Sequence, residues 1–370
     1  MNEGRISCAS TTWSSRFVSR QLNQIQSDRI FGSFRDTRIR VDSRRHLIAR
    51  LQAEINATLS SMALDEAFAL LDFPDHSNVG DSAIWLGELT FFAQSGYRPS
   101  YVCSLKDVAW SSLDRAVPHG AIFIHGGGNF GDIWPRHQAF REQVLERYPG
   151  RKVVQLPQSI HFRSADNIAR MARVIAEHGR FTLLVRDRSS FDLATRWFDC
   201  QVILCPDMAF CLGPLPRSAK PQGKTLLLLR TDDEKADIGS IDSRHALADI
   251  VHQDWLVEPR ATKLNARYVA MSRSLGPLLT GRLQRERLKE EYFRQLAAMR
   301  VNRGVRMLAP YAYIVSDRLH VHILSTLLGI RHCMLDNSYG KTARFMETWS
   351  TMWKGVLRTD SIASALQLRP

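Results

Sequence analysis

Lysine is scarce in this chain. Nine of the 50 basic residues are Lys and the remainder are Arg, set against 37 acids, so the formal charge is +13. That balance favours polyanions, anionic lipid surfaces or small acidic substrates. Cysteine is sparse too. The six Cys show no C-x-x-C pair and no short Cys/His spacing. That pattern argues against a disulfide framework or a zinc site and for reduced thiols in a cytosolic protein. No apolar run reaches the length of a membrane span, and no early apolar run resembles a secretory signal. Zinc-finger spacing, a ribonucleoprotein aromatic motif and a helix-turn-helix pattern are all missing, so a nucleic-acid partner is not expected. The bases are dispersed through amphipathic segments, which reads as a solvated surface for most of them.

A globular composition remains, 44% hydrophobic and 24% charged over 370 residues. This length points to two core-forming domains. Residues 1–45 are rich in Ser and Arg, lack periodicity and read as a flexible basic arm able to touch an anionic membrane surface. A helical stripe follows from His46 towards Leu71, with Leu47, Leu51, Ile55, Leu59 and Met62 on one side. After the loop Asn78-Val79-Gly80-Asp81, a helix is expected over Ser82 to Gln94, with Asp81 suited to its N-cap. Asn78 and Asp81 could equally line a site at that helix start.

Strand and helix signals then alternate. Strands are expected at Ala121 to Ile124, Lys152 to Leu156, Thr182 to Val185 and Val202 to Cys205. The helices between them are expected at Pro135 to Tyr148, Ala165 to His178 and Arg188 to Phe198. This is the signature of βαβ units and a parallel sheet, whose ligands bind at the carboxyl ends of the strands. Polar and Gly-rich residues recur at those ends: His125 to Asp132 with three consecutive glycines, Pro157-Gln158-Ser159, Arg186-Asp187 and Pro206-Asp207. The stretch 213–223 reads as an interdomain linker. Beyond it lie a strand at Thr225 to Leu229, a stretch from 235 to 275 without a clear pattern, and a charged helix from Leu278 to Met299. A strand at Tyr311 to Val315 then runs into Ser316-Asp317-Arg318-Leu319-His320-Val321-His322. Arg318 and His320 thus stand where a strand turns into a helix, beside backbone N–H groups suited to an anion.

Several chemistries compete for these signals. Gly126, Gly128 and Gly131 satisfy G-x-G-x-x-G, but the next strand ends in Leu156-Pro157-Gln158, with no acid to hold a ribose. His320 and His322, two apart on a helix, chelate poorly together, so no metal is expected. Cys103, Cys205 and Cys211 lack a paired base by spacing, and no G-x-S-x-G elbow is present. His322 reads as a packing residue.

Taken in order, Asn78 to Ile84, Gly126 to Asn129 with Gly131-Asp132, Leu156 to Ser159, Val185 to Asp187 with Ser190, Cys205 to Asp207, Ser316 to His322 and Asp336 to Lys341 resemble the polysaccharide pyruvyl transferase family. The resemblance spans roughly residues 70–345 and leaves 1–60 and 235–275 without counterpart. It implies an α/β fold of two Rossmann-like domains facing across a cleft, like one class of glycosyltransferases (glycosyltransferase-B-like). On that basis the arm at 1–45 is followed by an N-terminal domain at 46–215, a C-terminal domain at 216–340 and a helical tail at 341–370.

The resemblance also implies transfer of pyruvate from phosphoenolpyruvate to sugar hydroxyls, usually as a cyclic ketal, with no further cofactor. Arg186 and Arg318 match the family's donor-binding arginines, and Leu319 and Lys341 are further donor-binding candidates. A pair of guanidinium groups suits a donor carrying phosphate and carboxylate close together. His320 matches the family's histidine and is the candidate acid, since imidazole titrates near neutral pH. Asp81 would act with Asn78 on the acceptor, and Gly126, Gly127, Gly128 and Asn129 would hold it. Asp207 and Arg230 are further candidates at the cleft edges. The acceptor would be a polysaccharide or its lipid-linked repeat unit, used by a cytoplasmic enzyme resting peripherally on the membrane. A nucleotide-sugar glycosyltransferase and a basic polyanion-binding protein are the alternatives; sequence alone gives no oligomeric state.

Overall fold

A computed structural model describes residues 43–62, 67–230, 249–274, 282–336, 340–350 and 353–369. The expected basic arm, apart from Ser43 to Arg45, lies outside the described residues. Ser43 to Arg45 instead open the first helix.

Short runs of Val, Ile, Leu and Phe form two parallel sheets. The first contains β1 (Ala69–Leu71), β2 (Tyr101–Cys103), β3 (Ile122–Ile124), β4 (Gly127–Gly131), β5 (Val153–His161), β6 (Phe181–Val185) and β7 (Gln201–Leu204). Its order is β2-β1-β3-β5-β6-β7, with β4 paired to the far half of β5. Both faces of this sheet are covered. Leu70, Phe123, Val154 and Leu184 enter one apolar cluster, while their strand neighbours Leu71, Ile122, Val153 and Leu183 enter another. Alternate residues of a strand point to opposite faces, so a strand buried on both sides is apolar throughout. For this reason the three-residue β1 and β2 give no alternation to read. The helical pattern expected to continue to Leu71 ends at Ser60, and β1 takes its last three positions.

The second sheet has the order β12-β11-β10-β8-β9 and is also parallel, with β8 (Gln222–Leu228), β9 (Ile250–His252), β10 (Tyr311–Ser316), β11 (Arg331–Met334) and β12 (Val356–Arg358). The tail expected to be helical therefore includes a strand, β12, which extends the sheet beside β11. Leu226, Leu228 and Ile314 join the same apolar cluster as Leu70 and Phe123, whereas Leu227, Tyr313 and Val315 face away into a smaller one.

The helices are α1 (Ser43–Ser60), α2 (Val79–Gln94), α3 (Trp110–Ala116), α4 (Pro135–Arg147), α5 (Ala165–His178), α6 (Arg188–Trp197), α7 (Ala261–Ser274), α8 (Arg282–Leu308), α9 (Leu319–Leu328), α10 (Lys341–Trp349) and α11 (Ile362–Gln367). Residues 42–370 form one compact unit. α1 ties its parts together. Its Leu47, Leu51, Ile55 and Leu59 are buried in the shared cluster, and its polar side reaches distant backbone. Arg44 donates to the Leu327 carbonyl at 3.1 Å, Arg50 to Trp349 at 3.3 Å and Gln52 to Phe210 at 3.1 Å. The rings of Phe73 and Phe293 stack at 3.9 Å, joining the end of β1 to α8. The patternless stretch resolves in part: 231–248 lies outside the described residues, and α7 follows.

Candidate functional site

The start of α2 differs from the expectation. Asn78 is the cap, with its side chain accepting from the Gly80 amide at 3.1 Å, and the helix begins at Val79. Asp81 sits inside the first turn and not at the cap. There its charge still complements the helix dipole, and its Oδ2 accepts from Asn78 Nδ2 at 2.8 Å. His76 stands 3.6 Å from the same carboxylate oxygen. Asn side chains cap as well as Asp, so residue type alone could not choose between them.

Gly80 is where the second sheet's chemistry arrives. A Cβ added there would lie 2.4 Å from His320 Nδ1, so the imidazole rests directly on the helix backbone. His320 comes from the first turn of α9, whose N-cap position is Arg318. The entry turn is pinned by Ser316, whose hydroxyl accepts from the Arg318 amide at 3.1 Å and donates to the Leu228 carbonyl. Asp317 Oδ1 accepts from the Arg230 amide at 2.9 Å, while its buried Oδ2 has no partner among the described residues. Burial pushes the Asp317 carboxyl up to about 6, against the pull of Arg230 and Arg318. Arg318 Nη2 lies 3.2 Å from Oδ1 of Asp254, a residue in the unparsed stretch. Leu319 is buried in the apolar cluster, so what it can offer an anion is its helix-start N–H.

His320 is 8% exposed, and its Nε2 stands 3.4 Å from Asp207 Oδ2. Asp207 and Arg186 are both fully buried and form an ion pair at 2.5 Å. Arg186 also donates through Nε to Ser159 Oγ at 3.0 Å, its carbonyl accepts from Trp349 Nε1 at 2.8 Å, and its Nη2 has no partner among the described residues. Burial alone would raise the Asp207 carboxyl, but Arg186 and His320 outweigh it and hold the group well below the ordinary carboxylate range. Three strand ends thus converge: Arg186 follows β6, Asp207 follows β7 and His320 follows β10. Arg186 and Arg318 are therefore not two bare cations facing one anion. Each already has a carboxylate partner.

The glycine segment is a strand, not the loop expected. Gly127 to Gly131 form β4 beside β5, which runs on through Pro157 to His161 instead of stopping at Leu156. Glycine is required because the backbones approach closely. Gly131 has φ of 121°, and a Cβ on it would lie 1.8 Å from the His161 carbonyl oxygen. Gly127 faces the first turn of α2, with its Cβ position 3.8 Å from Asp81 Oδ1. Gly128 lies in the same strand, half-buried. The Gly126 amide donates to Glu88 Oε1 at 2.8 Å, and His125 Nδ1 is 2.8 Å from Glu88 Oε2. Burial raises the Glu88 carboxyl; it would lower His125, but Glu88 more than offsets that and raises it.

Asn129 is half-buried and belongs to a side-chain network. Its Oδ1 accepts from Arg141 and Gln158, each at 2.8 Å, and its Nδ2 meets Asp72 and His137. Arg141 is fully buried, and burial lowers its guanidinium to about 10 despite Asp72. Asp72, at the end of β1, has φ of 70°, the sole positive value among described non-glycine residues. Lys341 opens α10; its side chain lies outside the described residues, as do Asn337, Ser338 and Tyr339. Burial pushes the Cys103 thiol up to about 12 and the Cys205 and Cys211 thiols upward too, which disfavours a thiolate nucleophile. Among the described residues no three His, Cys, Asp or Glu side chains are grouped to hold a metal ion.

Sequence reading missed Glu88, Asp72, Arg141, His137 and Asp254 as parts of the site's surroundings. Glu88 carries the one usable signal: a charge in the middle of an otherwise apolar helix needs a buried partner.

Guanidinium, imidazole and carboxylate groups thus gather at the ends of parallel strands in an α/β protein, where such sheets bind their ligands. The chain belongs to the polysaccharide pyruvyl transferase family, whose model matches residues 78–339. It is similar to the Bacillus subtilis (strain 168) protein named "Putative pyruvyl transferase EpsO", with 32% identity over 82% of this chain and 92% of that protein. It is also similar to Pyruvyl transferase 1 of Schizosaccharomyces pombe, with 31% identity over 81% of this chain and 74% of that protein. In fold it is similar to a crystal structure of protein KP1_0663 from Klebsiella pneumoniae, with a TM-score of 0.52 and 19% identity over 84% of this chain and 99% of that one. Among the described residues no helix is long and apolar enough to cross a membrane.

Proposed function

We propose that the chain transfers pyruvate from phosphoenolpyruvate to hydroxyls of a polysaccharide or its lipid-linked repeat unit and closes a cyclic ketal. The observation that carries this reading is the Arg186–Asp207–His320 cluster lying on Gly80 at the start of α2. In this reading the two sheets are two Rossmann-like halves, and their strand ends meet over that cluster. Arg186 has a buried guanidinium nitrogen to give to the donor. Arg318 joins by exchanging Asp254, which is 21% exposed, for the donor's carboxylate or phosphate.

His320 then protonates the methylene carbon of the enol ester, leaving an oxocarbenium-like centre at the next carbon. A sugar hydroxyl adds to that carbon, and Asp81 takes its proton. A second hydroxyl forms the other C–O bond as the C–O bond to phosphate breaks; its proton goes to His320, which restores the acid, and inorganic phosphate leaves. Asn78 orients Asp81 through the 2.8 Å hydrogen bond, while Gly126, Gly127 and Gly128 let the acceptor approach the backbone. Asn129 acts through the buried network that fixes β4. No cofactor enters this scheme, and the work is placed at the cytoplasmic membrane face.

The test is incubation with phosphoenolpyruvate and a set of free and lipid-linked oligosaccharides, following phosphate release and pyruvate on the acceptor by mass. Pyruvate incorporation is expected, together with a loss of about 10²–10⁴-fold in His320→Ala. A folded His320→Ala protein with unchanged turnover removes the acid from the scheme. Sugar transfer from a nucleotide sugar, without pyruvate incorporation, rejects the scheme altogether.

A further inference from the structure

Seven large apolar side chains are exposed among the described residues, and four of them lie within one short stretch: Val257 at 78%, Leu264 at 69%, Tyr268 at 73% and Met271 at 49%. Three belong to α7 and recur at i, i+4 and i+7, which places them on one stripe along the helix. The opposite side of α7 is the packed one, with Ala266 and Ala270 fully buried and the helix lying against α8. The exposed stripe is thus not a core face turned the wrong way.

Its flanks are cationic. Between Val257 and Ser274 the only acid is Glu258, which is held by Arg300 at 2.6 Å, against the four bases Arg260, Lys263, Arg267 and Arg273. Lys263 pairs with Asp75 and Arg273 with Glu291. Arg260 and Arg267 are exposed and make no ion pair among the described residues. Arg267 lies four residues before Met271 and so beside the same stripe, and Arg260 immediately precedes α7.

We infer that α7 is a docking helix for an anionic lipid surface. It lies in the interface plane with Leu264, Tyr268 and Met271 at the acyl boundary and Arg260 and Arg267 among the phosphates. Charge complementarity favours this occupant. A second copy of the chain would bring two cationic flanks together. A nucleic acid would engage the Arg and Tyr side chains and leave Leu264 and Met271 in water. α7 begins seven residues after Asp254, which hydrogen-bonds Arg318. The seat is therefore placed for an acceptor that arrives on a lipid. Only that last point rests on the pyruvyl-transfer reading; membrane docking itself does not.

The full chain is sedimented with phosphatidylcholine vesicles, either pure or with about one third phosphatidylglycerol. Binding is expected to the anionic vesicles and not to the pure ones. It is expected to fall about tenfold or more both in Leu264→Ser/Tyr268→Ser/Met271→Ser and in Arg260→Glu/Arg267→Glu, with thermal midpoints unchanged because these side chains are exposed. In Tyr268→Trp, brominated acyl chains should quench emission beyond the wild-type change. The inference is overturned if the wild type ignores anionic vesicles or if the triple Ser variant binds them like wild type. Conversion of a dimer to a monomer by the same substitutions, with vesicle binding intact, also overturns it. Turnover is not part of the readout, so failure of docking and failure of pyruvyl transfer are told apart.

Discussion

Asp207→Asn separates the structural from the chemical role of the buried cluster. The substitution keeps the side-chain size and an acceptor for the Ala209 amide, which now donates to Oδ1 at 2.9 Å. It removes the charge facing Arg186, and both residues are fully buried. What is left is a buried guanidinium with a neutral amide and the Ser159 hydroxyl around it. Breaking one side of a buried ion pair costs about 3–5 kcal/mol, whereas replacing both sides by apolar groups is often neutral. Asp207→Asn should therefore lose about 3–5 kcal/mol of unfolding free energy in urea titrations at pH 7. Arg186→Met/Asp207→Leu should recover most of that loss, less about 1 kcal/mol for the stranded Ala209 amide.

The pH dependence follows in sign. A carboxyl lowered in the folded state stabilises above its unfolded value of about 3.9, and that contribution fades as pH falls through the lower folded value. The gap between wild type and Asp207→Asn should thus shrink below pH ~4. If the proposed scheme holds, pyruvate transfer should be abolished even in the stable double variant, because Arg186 no longer reaches the donor and His320 has lost its carboxylate. A stable double variant that turns over like wild type would falsify the placing of this pair in the donor site. Equal stability of Asp207→Asn and wild type at pH 7 would refute the buried-charge argument.

Gly80→Ala is the sharper probe of His320: alanine favours a helix by about 1 kcal/mol over glycine, yet its methyl must displace the imidazole. Turnover should drop about 10²-fold while the helical circular dichroism signal is kept, and full activity would mean that the ring is free to move. His322 and His332 form a buried pair at 2.8 Å, with Ser350 on the far nitrogen of His322. Burial lowers both, His332 to about 4, so their contribution is full above the unfolded histidine value of about 6.5 and is lost as pH falls towards 4. Urea midpoints should therefore decline between pH 7 and pH 5 more steeply in wild type than in His332→Phe, and parallel declines would reject the assignment. Gly131→Ala should yield little folded protein on gel filtration, because its Cβ would meet the His161 carbonyl at 1.8 Å; a monodisperse variant of wild-type stability would show that β4 can slide on β5.

The legible parts of the site were those encoded locally. Arg318 and His320 at a strand-to-helix junction, Arg186 after a strand and glycines where backbones crowd all follow from residue type and short spacing. The cap was misassigned to Asp81 because Asn78 satisfies the same chemistry. The glycine segment looked like a loop because glycine marks both loops and close strand approaches. β1 and β2 were hidden because three residues buried on both faces carry no period.

By itself the sequence determined the alternation of strands and helices, the polar strand ends and the Arg and His placed at them, since these are properties of neighbours along the chain. Only the tertiary structure decided which of those ends meet. Asp207 between Arg186 and His320, Asp254 on Arg318, and Glu88 on His125 join residues tens to more than a hundred positions apart. A charge buried on folding must find its counter-charge wherever the packing of α2, α9 and the two sheets brings one, and no local pattern records that choice.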